Sequence, residues 1–232
     1  MSFLSANAPE DQDDTWMSVS DLFAGLMMVF LLIAVIRIEA VTREKEQVRN
    51  VAVAFDAAEA QLAAALEAEF ADDLEGWGAE IDADQMLVRF KAPDVLFEQG
   101  SDNMRPRFRE IMDDFFPRYA DILSQFEDNV EEVRIEGHTS SDWAGAGEEA
   151  AFFGNMGLSQ ARTRSVLRYA LSTVPTDERA WLRSVVTANG LSSSRLVLTD
   201  GAEDPARSRR VEFRVRTDAK RQMVRILETL ES

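Results

Sequence analysis

Two sets of residues in this sequence have types and spacing that could do chemistry. The first is a lone acid at the edge of an apolar run. Leu22 to Ile36 passes 15 residues without a charge, and Asp21 stands directly before it. A helix of that length rises about 22 Å, short of the ~30 Å hydrocarbon core of a bilayer, so a spanning helix must draw in about five more residues. Arg37 can snorkel on one side. On the other side lie Asp21, Ser20, Val19, Ser18, Met17 and Trp16, the last a natural interfacial anchor. Extension that way carries Asp21 into or just beneath the bilayer edge. An ionised acid is expensive there, and along a protein-lined path it can pick up and release protons, each charge crossing being worth about 2.3 kcal/mol per 100 mV. Two plainer readings stand beside this one. Asp is a favoured helix N-cap. An N-terminal apolar run can also be a secretory signal, although Glu10, Asp11, Asp13 and Asp14 precede it and no basic residue does.

The second set is spread over the C-terminal half. Gly137-His138-Thr139-Ser140-Ser141 follows a strand-like run, and a strand-end loop exposes backbone N–H groups and hydroxyls to a ligand. Asp142 is close behind. Asn155 comes next, then Leu158-Ser159-Gln160-Ala161-Arg162, where Ser159 is placed to cap a helix. Ser208-Arg209-Arg210 leads into Val211-Glu212-Phe213. Guanidinium forks and helix N-termini both suit a carboxylate, so the set can form a carboxylate-binding pocket. The plainer alternative is that the hydroxyls cap loops and the arginines pair with the chain's many acids.

Composition narrows the function classes. The 232 residues carry 25 Lys and Arg against 42 Asp and Glu, a formal net charge of −17. Nucleic acid is thereby excluded as a general partner, because the charge that neutralises phosphates is missing. There is no cysteine, which removes disulfides, thiolate metal sites and thiol catalysis. A single histidine, His138, removes most triads and His-rich metal sites. Neither paired acids with a nucleophile nor a phosphate loop is present, so no enzyme, cofactor or metal is expected. A hydrophobic content of 46% is enough for a real core.

The elements that must position these residues can be outlined. Residues 1–15 form a short acidic tail and 16–37 the spanning helix. From Ile38 to about Leu74 there is no proline or glycine. Val41, Val48, Phe55 and Leu62 recur every seven residues, with Val51, Ala58 and Ala65 three places behind the last three. This is an a/d seam, and it predicts a stalk over 38–78 that pairs with a second copy, or else lies on its own domain. Between Arg49 and Arg89 ten acids and no basic residue occur, a solvated face. The remainder alternates strands and helices. Strands are expected over Met86–Lys91, Val130–Glu136, Arg195–Thr199 and Val211–Val215. Helices are expected over Pro106–Phe126, Leu158–Leu171, Thr176–Asn189 with Gly190 as C-cap, and a last one within 218–232. The expected class is α+β, with a mixed-sheet domain over 79–217. The few basic residues after the span, Arg37, Arg43, Lys45 and Arg49, would place its C-terminal side in the cytoplasm by charge alone.

The sequence Gly-His-Thr, then Asn and Leu-Ser-x-x-Arg, then Arg-Arg-Val-Glu, resembles the OmpA-like peptidoglycan-binding domain family over about residues 85–217, with Val95 to Ser101 matching its entry segment. The resemblance implies a mixed sheet and a pocket for the diaminopimelate-type stem peptide, lined by Thr139, Ser140, Asp142, Asn155, Leu158, Ser159, Arg162, Arg209 and Arg210, with Arg162 on the stem-peptide carboxylate. Ser140 stands where the family usually has Asp, with Asp142 two places on, and Ser208 stands where Asn is usual. With Ser20-Asp21-Leu22 through Val35 ahead of it, the whole is similar to MotB-type stator subunits, and most to the MotB-like ZorB subunits of Zorya antiphage defence systems. That likeness implies a MotA-like (ZorA-like) membrane ring as partner, a homodimer, Asp21 as the proton carrier with H+ as the transported ion, and anchoring to peptidoglycan. It implies a single pass of the bacterial inner membrane with residues 1–15 cytoplasmic and the domain periplasmic, the reverse of the charge-based orientation. A flagellar stator subunit, or a wall tether without ion transport, are the alternatives.

Overall fold

The structure is a computed structural model that describes residues 11–91, 96–143, 145–177 and 179–218. The tail before residue 11 and the helix expected within 219–232 lie outside the described residues. The chain divides into two compact units, one reaching Val51 and the other beginning at Ala52.

Within the first unit the chain is one helix. Helix α1 runs Asp11–Phe70 without a break, as the absence of proline and glycine after Ile38 predicts. Residues 11–15, expected in the tail, are already helical. Asp21 therefore lies inside α1 and not at its N-cap, which removes the capping reading. Val19–Asn50 contains a stretch long and apolar enough to cross a membrane, with a mean hydropathy of 2.5 and none of it buried.

In the second unit α1 ends at Phe70, followed by the single turn α2, Leu74–Trp77. Gly78 closes α2 in the left-handed conformation that glycine tolerates best, at φ 64°. Leu62, Leu66 and Phe70 are buried in the domain core. The last heptad of the expected pairing seam is thus occupied by the chain's own sheet and helices, and the domain core begins well before residue 79.

Five strands make the main sheet: β1 Ala79–Asp82, β2 Leu87–Phe90, β3 Val130–His138, β4 Val186–Gly190 and, last in sequence, β7 Arg210–Thr217. Their order is β1-β2-β7-β3-β4. All neighbours are antiparallel except β3 and β4, which run parallel. Helix α3, Pro106–Ser124, opens with proline at its first turn and buries Phe108, Ile111, Met112, Phe115, Phe116, Tyr119, Ile122 and Leu123, the apolar stripe read from the sequence. Phe115 sits at the centre of the core, with ring centroids of Phe70, Phe90, Tyr119 and Phe213 5.0–5.2 Å away. The α+β class is as expected.

Two elements differ from expectation. Helix α4 spans Glu148–Thr173 and so starts ten residues before Leu158. Its buried positions are Ala151, Asn155, Ser159, Thr163, Val166 and Ala170, a stripe too polar at its start to show as apolar periodicity. Small side chains let α4 approach the sheet closely. A Cβ on Gly137 would fall 2.7 Å from Thr163 Cγ2, and one on Gly190 would fall 2.3 Å from the backbone nitrogen of Gln160. The expected helix Thr176–Asn189 is instead a short helix α5, Arg179–Val185, followed at once by β4. The β-branched run Val185-Val186-Thr187 favours the strand, and Gly190 ends it where α4 passes overhead. The expected strand Arg195–Thr199 shrinks to β5, Leu198–Thr199, in a two-stranded ribbon with β6, Ala202–Glu203. The single turn α6, Pro205–Ser208, then leads into β7 and is capped by Asp204, which accepts from the amides of Ala206 and Arg207.

Candidate functional site

The loop after β3, the first half of α4 and the segment after Phe97 meet around one cavity of about 790 Å³. Thr139, Ser140, Asp142, Asn155, Leu158, Arg162 and Arg209 line it. Thr139, Ser140 and Asn155 form a buried floor. Asn155 reaches back from α4 and donates to the carbonyls of Ser140 at 3.1 Å and Asp142 at 3.3 Å, so the loop is held against the helix. On its other side the Ser141 amide and hydroxyl both donate to the Glu203 carboxylate of β6. The Thr139 hydroxyl is buried with no hydrogen-bond partner among the described residues, and so is Nε of Arg209. Buried donors without a partner are costly and mark where a ligand's acceptors can go.

Arg162 stands in the wall. Its Nε donates to the Ser101 carbonyl at 2.9 Å and one Nη to the Glu98 carbonyl at 3.3 Å. Its guanidinium stacks 4.9 Å above the Phe97 ring. The arginine and the 98–101 segment therefore fix one another, and the cavity has a cation whose position is set before any ligand arrives. Glu98, Gln99, Gly100, Arg105 and Trp143 complete the lining and were not singled out from the sequence. For Glu98 to Gly100 the signal was the matching entry segment. For Trp143 it was a lone aromatic in a stretch otherwise rich in glycine, alanine and acids.

Ser159 and Arg210 take other roles. Ser159, expected as a helix cap, is eleven residues inside α4. Its hydroxyl donates to the Met156 carbonyl and accepts from the Ser192 amide at 3.1 Å, while the Ser192 carbonyl accepts from the Thr139 amide at 3.0 Å. It holds the 191–194 turn beside the site loop. Arg210 is buried under the sheet's polar face. It donates to Glu212 Oε1 at 2.7 Å and to the carbonyls of Ser208 and Arg195.

That polar face is an ion-paired layer behind the site. Glu136 on β3 lies opposite Glu212 on β7, and His138 opposite Arg210. Two carboxylates facing each other across an antiparallel pair repel. Arg89 and Arg210 both donate to Glu212 Oε1 at 2.7 Å, Arg214 contacts both carboxylates, and Arg195 reaches Glu136 at 3.2 Å. Burial alone would push both carboxyls up. Contacts with His138 and these arginines outweigh it, so both titrate below the ordinary carboxylate range, Glu212 well below. Ligand atoms of Glu136, His138 and Glu212 lie within 4.8 Å of one another, a spacing that could hold a metal ion. The arginines occupy the carboxylate oxygens a cation would need, so the group fits an ion-paired support for the end of β3 and the loop that starts at Thr139 better than a metal centre.

Asp21 lies outside this domain, exposed on α1. Its side chain makes no hydrogen bond or ion pair with another described residue.

No protein-family model matches the chain. It is similar to the Zorya protein ZorB of Escherichia coli, with 48% identity over 224 residues that cover 94% of this chain and 95% of that protein. Among solved structures it is similar to a MotB-like protein from Desulfovibrio vulgaris, at 22% identity and a TM-score of 0.48 over 74% of this chain and 99% of that one. It is also similar to the cell wall anchor of the T6SS from Pseudomonas aeruginosa, at 26% identity and a TM-score of 0.47 over 66% of this chain and 96% of that one.

Proposed function

The chain belongs to the ZorB family, and from that membership we propose that it is the proton-carrying, wall-anchored stator subunit of a membrane motor that acts in Zorya antiphage defence. The carrying observation is that the match to a Zorya ZorB protein extends over 94% of the chain, so it takes in both the apolar helix with Asp21 and the domain with the cavity. The subunit is not an enzyme. It passes once through the inner membrane, with its N-terminus in the cytoplasm and its domain in the periplasm. Two copies sit inside a ring of a larger, MotA-like partner, the ZorA-like subunit.

In this reading Asp21 cycles between charged and neutral forms against the ring. A charged acid is costly inside a bilayer, roughly 2.5–3.5 kcal/mol at the midplane and less toward the edge where Asp21 lies, so protonation and release alternate two states of unequal stability that the ring can follow. The domain keeps the subunit from turning with the ring. A buried floor of hydroxyl and amide groups with the guanidiniums of Arg105, Arg162 and Arg209 in its walls suits the carboxylate of a peptidoglycan stem peptide. Arg162, held rigid by Ser101 and Glu98, is the group best set to meet that carboxylate.

The test uses the full chain with its ring partner in vesicles, and the same proteins in cells. Asp21→Asn is expected to abolish proton flux and phage resistance while the complex still assembles. Flux that persists in the variant overturns the carrier role, and resistance that persists leaves a wall tether. Arg162→Ala is expected to weaken co-sedimentation with purified peptidoglycan. Retention equal to the parent removes the anchoring role.

A further inference from the structure

Trp143 is the part of the cavity that the carboxylate-binding reading does not use. Its indole borders the same space as Thr139, Asn155, Arg162 and Arg209. It is 40% exposed, whereas Thr139, Ser140 and Asn155 are no more than 4% exposed. The floor of the cavity is therefore polar and buried, and the indole stands at its mouth. A Cβ placed on Gly154 would lie 2.8 Å from Cε2, 2.9 Å from Cζ2 and 3.0 Å from Cδ2 of this ring. Cε2 is a fusion atom bonded to three ring atoms, so an approach that close can only come through the ring's face. The backbone of α4 at Gly154 thus covers one face of the indole, and a side chain there would displace it.

The ring is also fixed along the chain. Asn155, next to Gly154, holds the carbonyls of Ser140 and Asp142 just before Trp143. Glu203 holds Ser141 from β6. An exposed aromatic held this firmly forms a flat platform before any ligand binds, so little ordering cost remains to be met on binding.

We propose that the open side of Trp143 is a sugar subsite, where a pyranose ring of the glycan strand stacks as the attached peptide enters the cavity. This rests on the wall-binding reading above. A pyranose presents a C–H-rich face that packs on an aromatic plane, and its rim of hydroxyls needs donors and acceptors close by. Asp142 and Gln99 supply both kinds from the same cavity lining. The ionic groups of a stem peptide find their partners deeper, at Arg162, Arg209 and the buried floor. The indole stands where the polymer must leave the pocket, and there the sugar that carries the peptide is the next chemical unit.

The test is calorimetric titration of the full-length chain in detergent with two probes, a disaccharide tripeptide from peptidoglycan and the same tripeptide without sugars. The parent is expected to bind the sugar-bearing probe more tightly. Trp143→Ala is expected to lose about two- to tenfold in affinity for that probe, the range of one aromatic stacking contact, and none for the bare peptide. Trp143→Phe retains most of the affinity. Gly154→Ala reproduces the Trp143→Ala loss, because its methyl displaces the ring while alanine favours the helix. An equal loss for both probes makes Trp143 a peptide contact and overturns the sugar subsite, as does no loss for either. If the parent binds neither probe, it is the wall-binding reading that has failed.

Discussion

The apolar stretch of α1 and the sheet domain solve opposite problems. In the domain nearly every demanding group is met by the chain itself. Phe115 has four aromatic neighbours with ring centroids within 5.2 Å. The like-charged pair Glu136 and Glu212 is surrounded by arginines. From Leu22 to Ile38 the large apolar side chains are exposed instead, and Asp21 is exposed with them. Burying such a surface is worth about 25 cal/mol per Å², so a helix that leaves it all uncovered is built for surroundings that supply the burial. The domain is specified by its own contacts. The helix is specified by what it meets.

The contrast is sharpest for substitutions of the same kind in the two regions. Phe115→Ala is expected to destabilise the domain by about 3–5 kcal/mol, the usual cost of emptying a packed aromatic site. Leu31→Ala, on the exposed apolar helix, is expected to leave thermal unfolding of the domain unchanged when both are followed by near-UV circular dichroism in detergent. A domain transition that shifts with Leu31→Ala would break the division.

The same division explains what could be read from the sequence. The apolar run, the proline- and glycine-free helix and the stripe of α3 each declare themselves by composition or a clear period. The strands β3 and β7 show by alternation. What hid was whatever departs from apolar patterning for the sake of close approach. The start of α4 buries Ala151, Asn155 and Ser159, which gives no apolar period, although Glu148 and Glu149 in its first turn are acids of the kind that favour a helix start. Strand β4 hid because its β-branched run abuts a helix without a turn between them. Strand β1 is an edge strand with Ile81 as its one large apolar residue. At the site, the family-like motifs led to Arg162 and Asn155. No local pattern could show that Arg162 reaches the carbonyls of Glu98 and Ser101, more than sixty positions away in sequence.

Acid sharpens the comparison from the charged side. Glu136 and Glu212 titrate below the ordinary value of 4.5 in the folded domain, because their charged forms are paired. Groups depressed in this way stabilise the fold fully above the unfolded value, and that stabilisation is lost as pH falls through the folded values. The domain's melting temperature is therefore expected to hold near neutrality and to drop progressively below about pH 4.5. Glu212→Gln should lower the melting temperature at neutral pH, since Arg89, Arg210 and Arg214 would then face an uncharged group, and it should flatten the acid decline. A parent melting temperature that stays constant down to about pH 3 would show that the ion-paired layer contributes nothing to the fold.

The smallest expected effect tests whether the domain meets its own needs everywhere. Tyr119 is fully buried in the core, and its hydroxyl has no hydrogen-bond partner among the described residues. Burial pushes its ionisation far above the usual phenol range, so the group stays a neutral, unpaired donor. A buried hydroxyl without a partner costs about 1–3 kcal/mol in desolvation, and phenylalanine fills nearly the same volume without it. Tyr119→Phe is therefore expected to be neutral or to stabilise the domain by up to about 1 kcal/mol in denaturant titrations, with the ring stack on Phe115 kept. A loss of stability instead would mean that a bound water pairs the hydroxyl, and that even the self-sufficient half of the molecule draws on its surroundings at one point in its core.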